Sequence, residues 1–285
     1  MVHLVPGVLR RHAAAEPATP VVFDSPHSGA EYPKDFKFLA PAEIVRDAED
    51  SYVDELFAAA PDHGAALLAA LFPRSYIDPN RDPLDIDPRL LAEPWPGELR
   101  PSEKTRLGLG LIRRVVKLGN PMYDGTLSVA EVKNRIDTYY WPYHHELNGL
   151  IDGAHERFGV AWHVNCHSMQ AISTGIAPDG KGTERPHFCL GDRDGTTCDG
   201  AFVAFVADFL RDMGYTVTVN DPYKGVELVR RHGDPGNNRH SLQIEINRGL
   251  YMNEETREKT AGFRSLQANL TKLVAAIREF AQRTA

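Results

Sequence analysis

The sequence predicts an α/β protein built on a mainly parallel sheet within one domain. Three observations carry that expectation. Short apolar runs alternate with stretches of helical periodicity, the pattern of parallel strands joined by crossover helices. No Pro- or Ser-rich linker divides the 285 residues, a length that suits one large domain. Several apolar runs end in His, Asn, Asp or Glu, and the carboxyl ends of strands are where ligand sites form in such sheets.

The elements follow in order. Residues 1–20 hold Arg10 and Arg11 with no apolar segment behind them, so they read as a surface lead-in and not as a signal peptide. Residues 19–24 (TPVVFD) form the first strand. Residues 48–60 carry Tyr52, Val53, Leu56 and Phe57 at helical spacing behind acidic residues, which predicts a helix. Residues 75–78 read as a short strand. Within the Pro- and Gly-rich 79–127 region, 107–116 reads as a strand or a short helix. Residues 131–158 place Ile136, Tyr139, Tyr140, Tyr143, Leu147 and Leu150 on one helical stripe. Strands are expected at 160–166 and 186–190, an amphipathic helix at 201–213 closed by Gly214, then strands at 215–219 and 242–246. Residues 253–283 finish the chain as helix, with a break expected at Gly262.

Composition excludes some functions. Lys plus Arg is 32 against 39 Asp plus Glu, a net charge of −7. That balance argues against a general nucleic-acid binder, while a local Arg cluster can still take a small anion. Hydrophobic content of 42% is ordinary for a soluble protein, and no apolar run approaches the ~20 residues of a membrane span. Three cysteines make no disulfide framework and suit a reducing compartment. The expectation is a cytoplasmic protein with neither nucleic acid nor membrane as partner.

The strand ends carry the chemistry. The first strand runs into Asp24-Ser25-Pro26-His27-Ser28-Gly29, which sets His27 on a tight turn; imidazole is the commonest metal ligand, though a surface turn histidine gives the same local pattern. In the run from Val160 to Ser168, a period of two puts His163, Asn165 and His167 on one face and Trp162, Val164 and Cys166 on the other. His163 then reads as a hydrogen-bonded structural histidine and His167, at the strand end, as a ligand. Cys166 shares the apolar face and reads as a packed thiol, not a nucleophile. The acidic cluster Asp47, Glu49, Asp50 and Asp54 at a helix start can supply a carboxylate to a two-His zinc site, and spacing does not choose among the four. Glu245 lies inside a late strand with Gln243 and Asn247 on its face; in a sheet covered on both sides it needs a partner or a job. Asn80 and Arg81 sit on a Pro-flanked turn that presents fixed donors.

Seven stretches run in order across nearly the whole chain: SPHSG at 25–29, DSYVDELF at 50–57, SYIDPNRDP at 75–83, YYWPYHHEL at 139–147, NCHSM at 165–169, the KG…RRHG stretch at 224–233, and LQIEINRGLYMNE at 242–254. On these the sequence resembles the N-formylglutamate amidohydrolase family, the deformylases of histidine breakdown. The resemblance implies a three-layer α/β/α sandwich similar to zinc carboxypeptidases, and hydrolysis of N-formyl-L-glutamate to formate and glutamate. It implies one zinc ion per chain on His27, Asp50 and His167, with Glu245 as general base. It also implies that Asn80, Arg81, Arg135, His144, Arg231 and His232 face the anionic substrate, with His144 or an arginine as oxyanion donor. A related zinc amidase for another N-acyl amino acid, or a binding protein on the same scaffold, is the alternative.

Overall fold

One eight-stranded sheet organises the chain, whose computed structural model describes residues 1–13, 17–117, 120–175 and 179–284. Its strands are β1 (Val2–Val5), β2 (Leu9–His12), β3 (Val21–Ser25) and β4 (Ala66–Ala70), then, after a small separate hairpin of β5 (Val115–Lys117) and β6 (Asn120–Pro121), β7 (Ala161–Met169), β8 (Phe188–Gly191), β9 (Val217–Val219) and β10 (Arg239–Asn247). The spatial order is β1-β2-β4-β3-β7-β10-β8-β9. The four central strands, β4, β3, β7 and β10, are parallel; β2 joins β4 and β8 joins β10 antiparallel. The sheet is therefore mixed and mainly parallel at its centre, as expected.

Helices cover both faces and make three layers. They are α1 (Ala42–Arg46), α2 (Val53–Leu56), α3 (Glu103–Arg106), α4 (Val129–Arg135), α5 (Trp141–Phe158), α6 (Gly200–Asp212), α7 (Glu227–His232) and α8 (Gly262–Arg283). Against one face, Phe23, Trp162, Val164, Cys166 and Ile244 pack on Leu56 of α2, Phe202 and Val206 of α6, and Leu270 and Ile277 of α8. Against the other, Val22, Leu68 and Ala70 pack on Tyr143, Leu147 and Ile151 of α5 and on Tyr76, Ile86 and Leu111 of the long irregular segment. The helices form where the stripe and the caps agree. Tyr143, Leu147, Ile151 and Ala154 bury one side of α5, and Gly159 closes it at φ +73°. Asp199 caps α6 by accepting from the amide of Ala201 at 2.7 Å. Between α4 and α5 the chain makes a π-helical turn, Ile136–Tyr140, just ahead of Pro142, which has no N–H to continue the ladder.

Five expectations change. Residues 2–12 are not a surface lead-in: β1 and β2 form a hairpin that extends the sheet, Leu9 pairs with Ala70, and its side chain is buried. The 48–60 helix shrinks to the single turn of α2 and a 3₁₀ turn at Ala60–His63, because Tyr52 adopts the left-handed conformation (φ 68°). Residues 75–78 form turns, with the Asp78 amide donating to Leu111 O at 2.8 Å rather than to a strand. Residues 107–114 are a compact loop ahead of β5. The last helix starts at Gly262, because Asn253 Oδ1 accepts from the Glu255 amide at 2.8 Å and the Thr256 amide at 3.0 Å and so makes a turn.

Candidate metal centre and its cavity

Three adjacent parallel strands bring the candidate residues together. His27 lies two residues past β3, His167 lies near the end of β7, and Glu245 of β10 stands directly opposite His167 in the ladder. The His27 turn passes close under the chain after β4. A Cβ on Gly29 would stand 2.3 Å from Phe72 O, so glycine is required there. Asp50 is fixed to the same turn by its amide, which donates to His27 O at 3.0 Å.

The hydrogen bonds assign the tautomers. His27 Nε2 is 2.7 Å from Asp78 Oδ1, and a carboxylate only accepts, so the His27 proton is on Nε2. Burial alone would raise Asp78, but the charge of Arg74, 2.7 Å from its other oxygen, holds it well below the usual carboxylate range. His167 Nε2 is 2.7 Å from Asn165 Oδ1. The Asn165 amide nitrogen donates to Asp24 at 2.7 Å, which turns its oxygen toward the ring. Asn80 Nδ2 also approaches Nε2, at 3.2 Å, but the shorter contact to an acceptor decides, and the proton is again on Nε2. Burial lowers His167 and keeps the ring neutral.

Both Nδ1 lone pairs therefore face one atom. Oδ2 of Asp50 lies 3.3 Å from Nδ1 of His27 and 3.0 Å from Nδ1 of His167. Two imidazole nitrogens with one carboxylate oxygen form a zinc-type donor set. The ligand atoms of His27, Asp50 and His167 lie within 4.8 Å of one another, and all three residues are buried. The other oxygen of Asp50 accepts from Arg248 at 2.9 Å. The rest of the acidic cluster is committed elsewhere: Glu49 to Tyr32 at 2.7 Å, Asp54 to Arg10 at 2.7 Å, Asp47 to Arg257 at 3.2 Å. Of the four, Asp50 is the carboxylate that stands with the two histidines.

The group opens onto a cavity of about 560 Å³ that Asn80, Arg81 and Glu245 also line. Burial and the negative charge of Asp50 push Glu245 up to about 8, against the opposing charges of Arg74 and Arg248. Seven cations line the same cavity: Arg74, Arg81, Lys104, Arg113, Arg185, Lys224 and Arg248. Four have carboxylate partners, Asp78, Asp179, Asp194 and Asp50 respectively for Arg74, Arg185, Lys224 and Arg248. Arg81 donates to the carbonyls of Leu109 at 3.2 Å and Asn80 at 3.0 Å instead. Among the described residues, Arg81, Lys104 and Arg113 form no ion pair.

Four expected substrate contacts lie outside this lining. Arg135 is fully buried in the aromatic core, donating to Tyr76 O at 3.0 Å, Tyr123 Oη at 2.7 Å and Glu131 at 2.7 Å. Arg231 pairs with Glu227 at 2.8 Å on α7. His232 is buried with its ring centroid 5.4 Å from that of His163. His144 donates from Nε2 to Pro79 O at 2.9 Å; burial and the nearby Arg231 charge lower it to about 3, so it is neutral and supports the Pro79-Asn80 turn from behind. Arg231 and His232 share the 224–233 stretch with Lys224, Gly225 and Val226 of the cavity wall, but Arg231 turns to Glu227 and His232 to His163. His163, between Asp24 at 2.9 Å and Ser241 at 2.8 Å, is structural as read, and Cys166 is a buried thiol pushed well up by burial. Asp78, Arg74, Lys104 and Arg113 were missed; the only local signal for the last was the run Gly108-Leu109-Gly110-Leu111-Ile112-Arg113-Arg114, too glycine-rich for an ordinary strand or helix.

A three-layer α/β protein with a buried two-His, one-Asp group at the ends of its central strands is the framework of a hydrolytic enzyme. The family model of N-formylglutamate amidohydrolase matches residues 19–252, and the chain belongs to that family. The crystal structure of an N-formylglutamate amidohydrolase from Ralstonia eutropha is similar over 98% of this chain and 100% of its own, with 48% identity and a TM-score of 0.94. An N-formylglutamate deformylase of Pseudomonas putida is 28% identical over 82% of both chains. One of Pseudomonas aeruginosa is 27% identical over 83% of both. Family membership makes the chain a hydrolase of amides.

Proposed function

We propose that the protein is a zinc-dependent deformylase that cleaves N-formyl-L-glutamate to formate and L-glutamate. The observation that carries the reading is the convergence of the two Nδ1 atoms of His27 and His167 on Asp50 in the same cavity as Glu245. The names of its relatives support the formylglutamate substrate. Zinc held by His27, Asp50 and His167 would polarise the amide carbonyl and bring the acidity of water near neutral pH. Glu245, which lines the cavity opposite His167, takes the proton of the attacking water and returns it to the departing amine. Arg81 follows Asn80, which touches His167, so it is the unpaired cation nearest the ligands along the chain; it holds the carboxylate next to the amide. A protein of net charge −7 thereby keeps a locally positive pocket for a dianion.

Formate release from N-formyl-L-glutamate tests this, measured with and without a chelator. The expected result is turnover that chelation abolishes and zinc restores. Turnover that survives complete removal of metal would overturn the metal dependence. Faster release of the acyl group from an N-acetyl amino acid would replace the substrate while leaving the reaction class in place.

A further inference from the structure

We propose that Arg113, with Lys104, reads the side-chain carboxylate of the substrate and makes the enzyme select acidic N-acyl amino acids. The inference rests on the amide-hydrolase reading of the cavity but names residues outside its reaction centre. Arg113 is half-buried in the cavity wall, and its Nε has no hydrogen-bond partner. A guanidinium removed from water with a free donor edge is a ready place for a carboxylate, which Arg can bind through two parallel bonds. The other cations around it repel it. Burial and the charges of Arg74 and Arg81 lower Arg113 to about 9, and burial with Arg81 lowers Lys104 as well. A second negative charge on the substrate relieves that repulsion; a neutral side chain leaves it.

The loop that presents Arg113 is built to be rigid. The Arg114 amide closes it onto Gly108 O at 2.9 Å, and Leu109 bridges Arg113 across it. The Leu111 amide donates to Asp85 O at 2.8 Å while Leu111 O accepts from the Asp78 amide at 2.8 Å, which ties the loop to the turn that supports His27. Gly110 admits the close approach, since a Cβ there would stand 2.6 Å from Asp85 O. The next residue, Arg114, turns away to pair with Asp87 at 2.7 Å. Adjacent arginines thus divide the work: Arg114 anchors the loop and Arg113 is left free. Arg81 belongs to the turn at the ligands and Arg113 to a separate loop, so the two suit a dianion whose carboxylates lie at different distances from the amide.

The test compares wild type, Arg113→Gln and Arg113→Lys in the zinc-loaded protein, with Arg114→Gln as the control for loop stability. Two readouts are used: glutarate affinity by calorimetry, and kcat/KM for N-formyl-L-glutamate against N-formyl-L-glutamine. Arg113→Gln is expected to weaken glutarate about 10- to 100-fold and to erase the preference for glutamate through KM, at unchanged zinc content. Arg113→Lys should recover part of both. Arg114→Gln should lower Tm and keep the preference. Wild-type selectivity in a folded Arg113→Gln protein would overturn the proposal; should that variant not fold, undiminished glutarate affinity in Arg113→Lys would do so. If wild type binds glutarate through Arg113 yet releases no formate from N-formyl-L-glutamate, the proposed reaction fails and this assignment stands.

Discussion

The proton of His27 sits where Asp78 puts it, and the pair forms a carboxylate–imidazole relay to the proposed cation. Removing Asp78 frees the ring to protonate on the wrong nitrogen. Asp78→Ala should therefore weaken zinc about 10- to 100-fold, read as Kd in a competition titration. Glu245→Gln should act on turnover and leave metal binding alone. Gln keeps the shape and one acceptor but takes no proton, so zinc content and Tm stay near wild type while kcat falls on the order of 100-fold or more. A folded, zinc-loaded Glu245→Gln protein with near-normal turnover would remove Glu245 from the mechanism. These residues differ in how far the sequence discloses them. The alternation of β7 alone puts His163, Asn165 and His167 on the polar face, because a strand's period is fixed by its backbone. Asp78 and Arg113 have no such periodicity around them. Their roles follow from contacts across the fold: the Asp78 carboxylate meets His27, 51 residues away.

Elements with their own hydrophobic stripe are legible; elements whose state is decided by neighbours are not. Helices α5, α6 and α8 each bury a continuous stripe and were placed from it. The strand β4 escaped, because Ala66-Leu67-Leu68-Ala69-Ala70 is made of strong helix formers. It is a strand because β3 and β2 pair with it on either side and both its faces are covered. The N-terminal hairpin was invisible for the same reason, since β2 finds its place only once β4 exists. The close approach of the His27 turn to the chain after β4 gives this element a functional consequence. Gly29→Ala would drive a Cβ against the backbone of Leu71 and Phe72, atoms that cannot rotate away. The expected cost is about 1–3 kcal/mol of stability, together with weaker zinc binding as His27 is displaced. Urea unfolding of the metal-free protein and a zinc titration separate the two effects. A variant with wild-type stability and affinity would show that the turn has room the geometry denies.

At the scale of the molecule, the fold buries imidazoles as neutral groups, and that fixes how its stability depends on pH. His144 is lowered to about 3 by burial and the Arg231 charge, and His232 is lowered well below its ordinary value by burial and its neighbours His163 and His144. In the unfolded chain both protonate near 6.5. Below that pH the unfolded state binds more protons than the folded one, so stability falls with pH, by up to ~1.4 kcal/mol per pH unit for each such histidine. Glu245 acts in the opposite sense in the metal-free protein. Its folded value near 8 lies above that of the unfolded carboxyl, so its contribution is present at low pH and lost as pH rises. The buried carboxylates Asp24 and Asp78 are lowered instead, and their contribution is lost only on acidification through the carboxylate range. His167 and His240 are lowered by burial as well, so between about pH 5 and 6.5 the lowered histidines outnumber the raised carboxyls Glu245 and Asp54, and metal-free stability should decline as the solution is acidified. His144→Gln keeps a donor for Pro79 O and removes one titrating group. Its unfolding free energy, measured in urea at several pH values across this window, should show a slope reduced by up to ~1.4 kcal/mol per pH unit whatever its absolute stability. An unchanged slope in the folded variant would mean that His144 carries a proton in the native protein, and the neutral support it gives the Pro79-Asn80 turn would have to be abandoned.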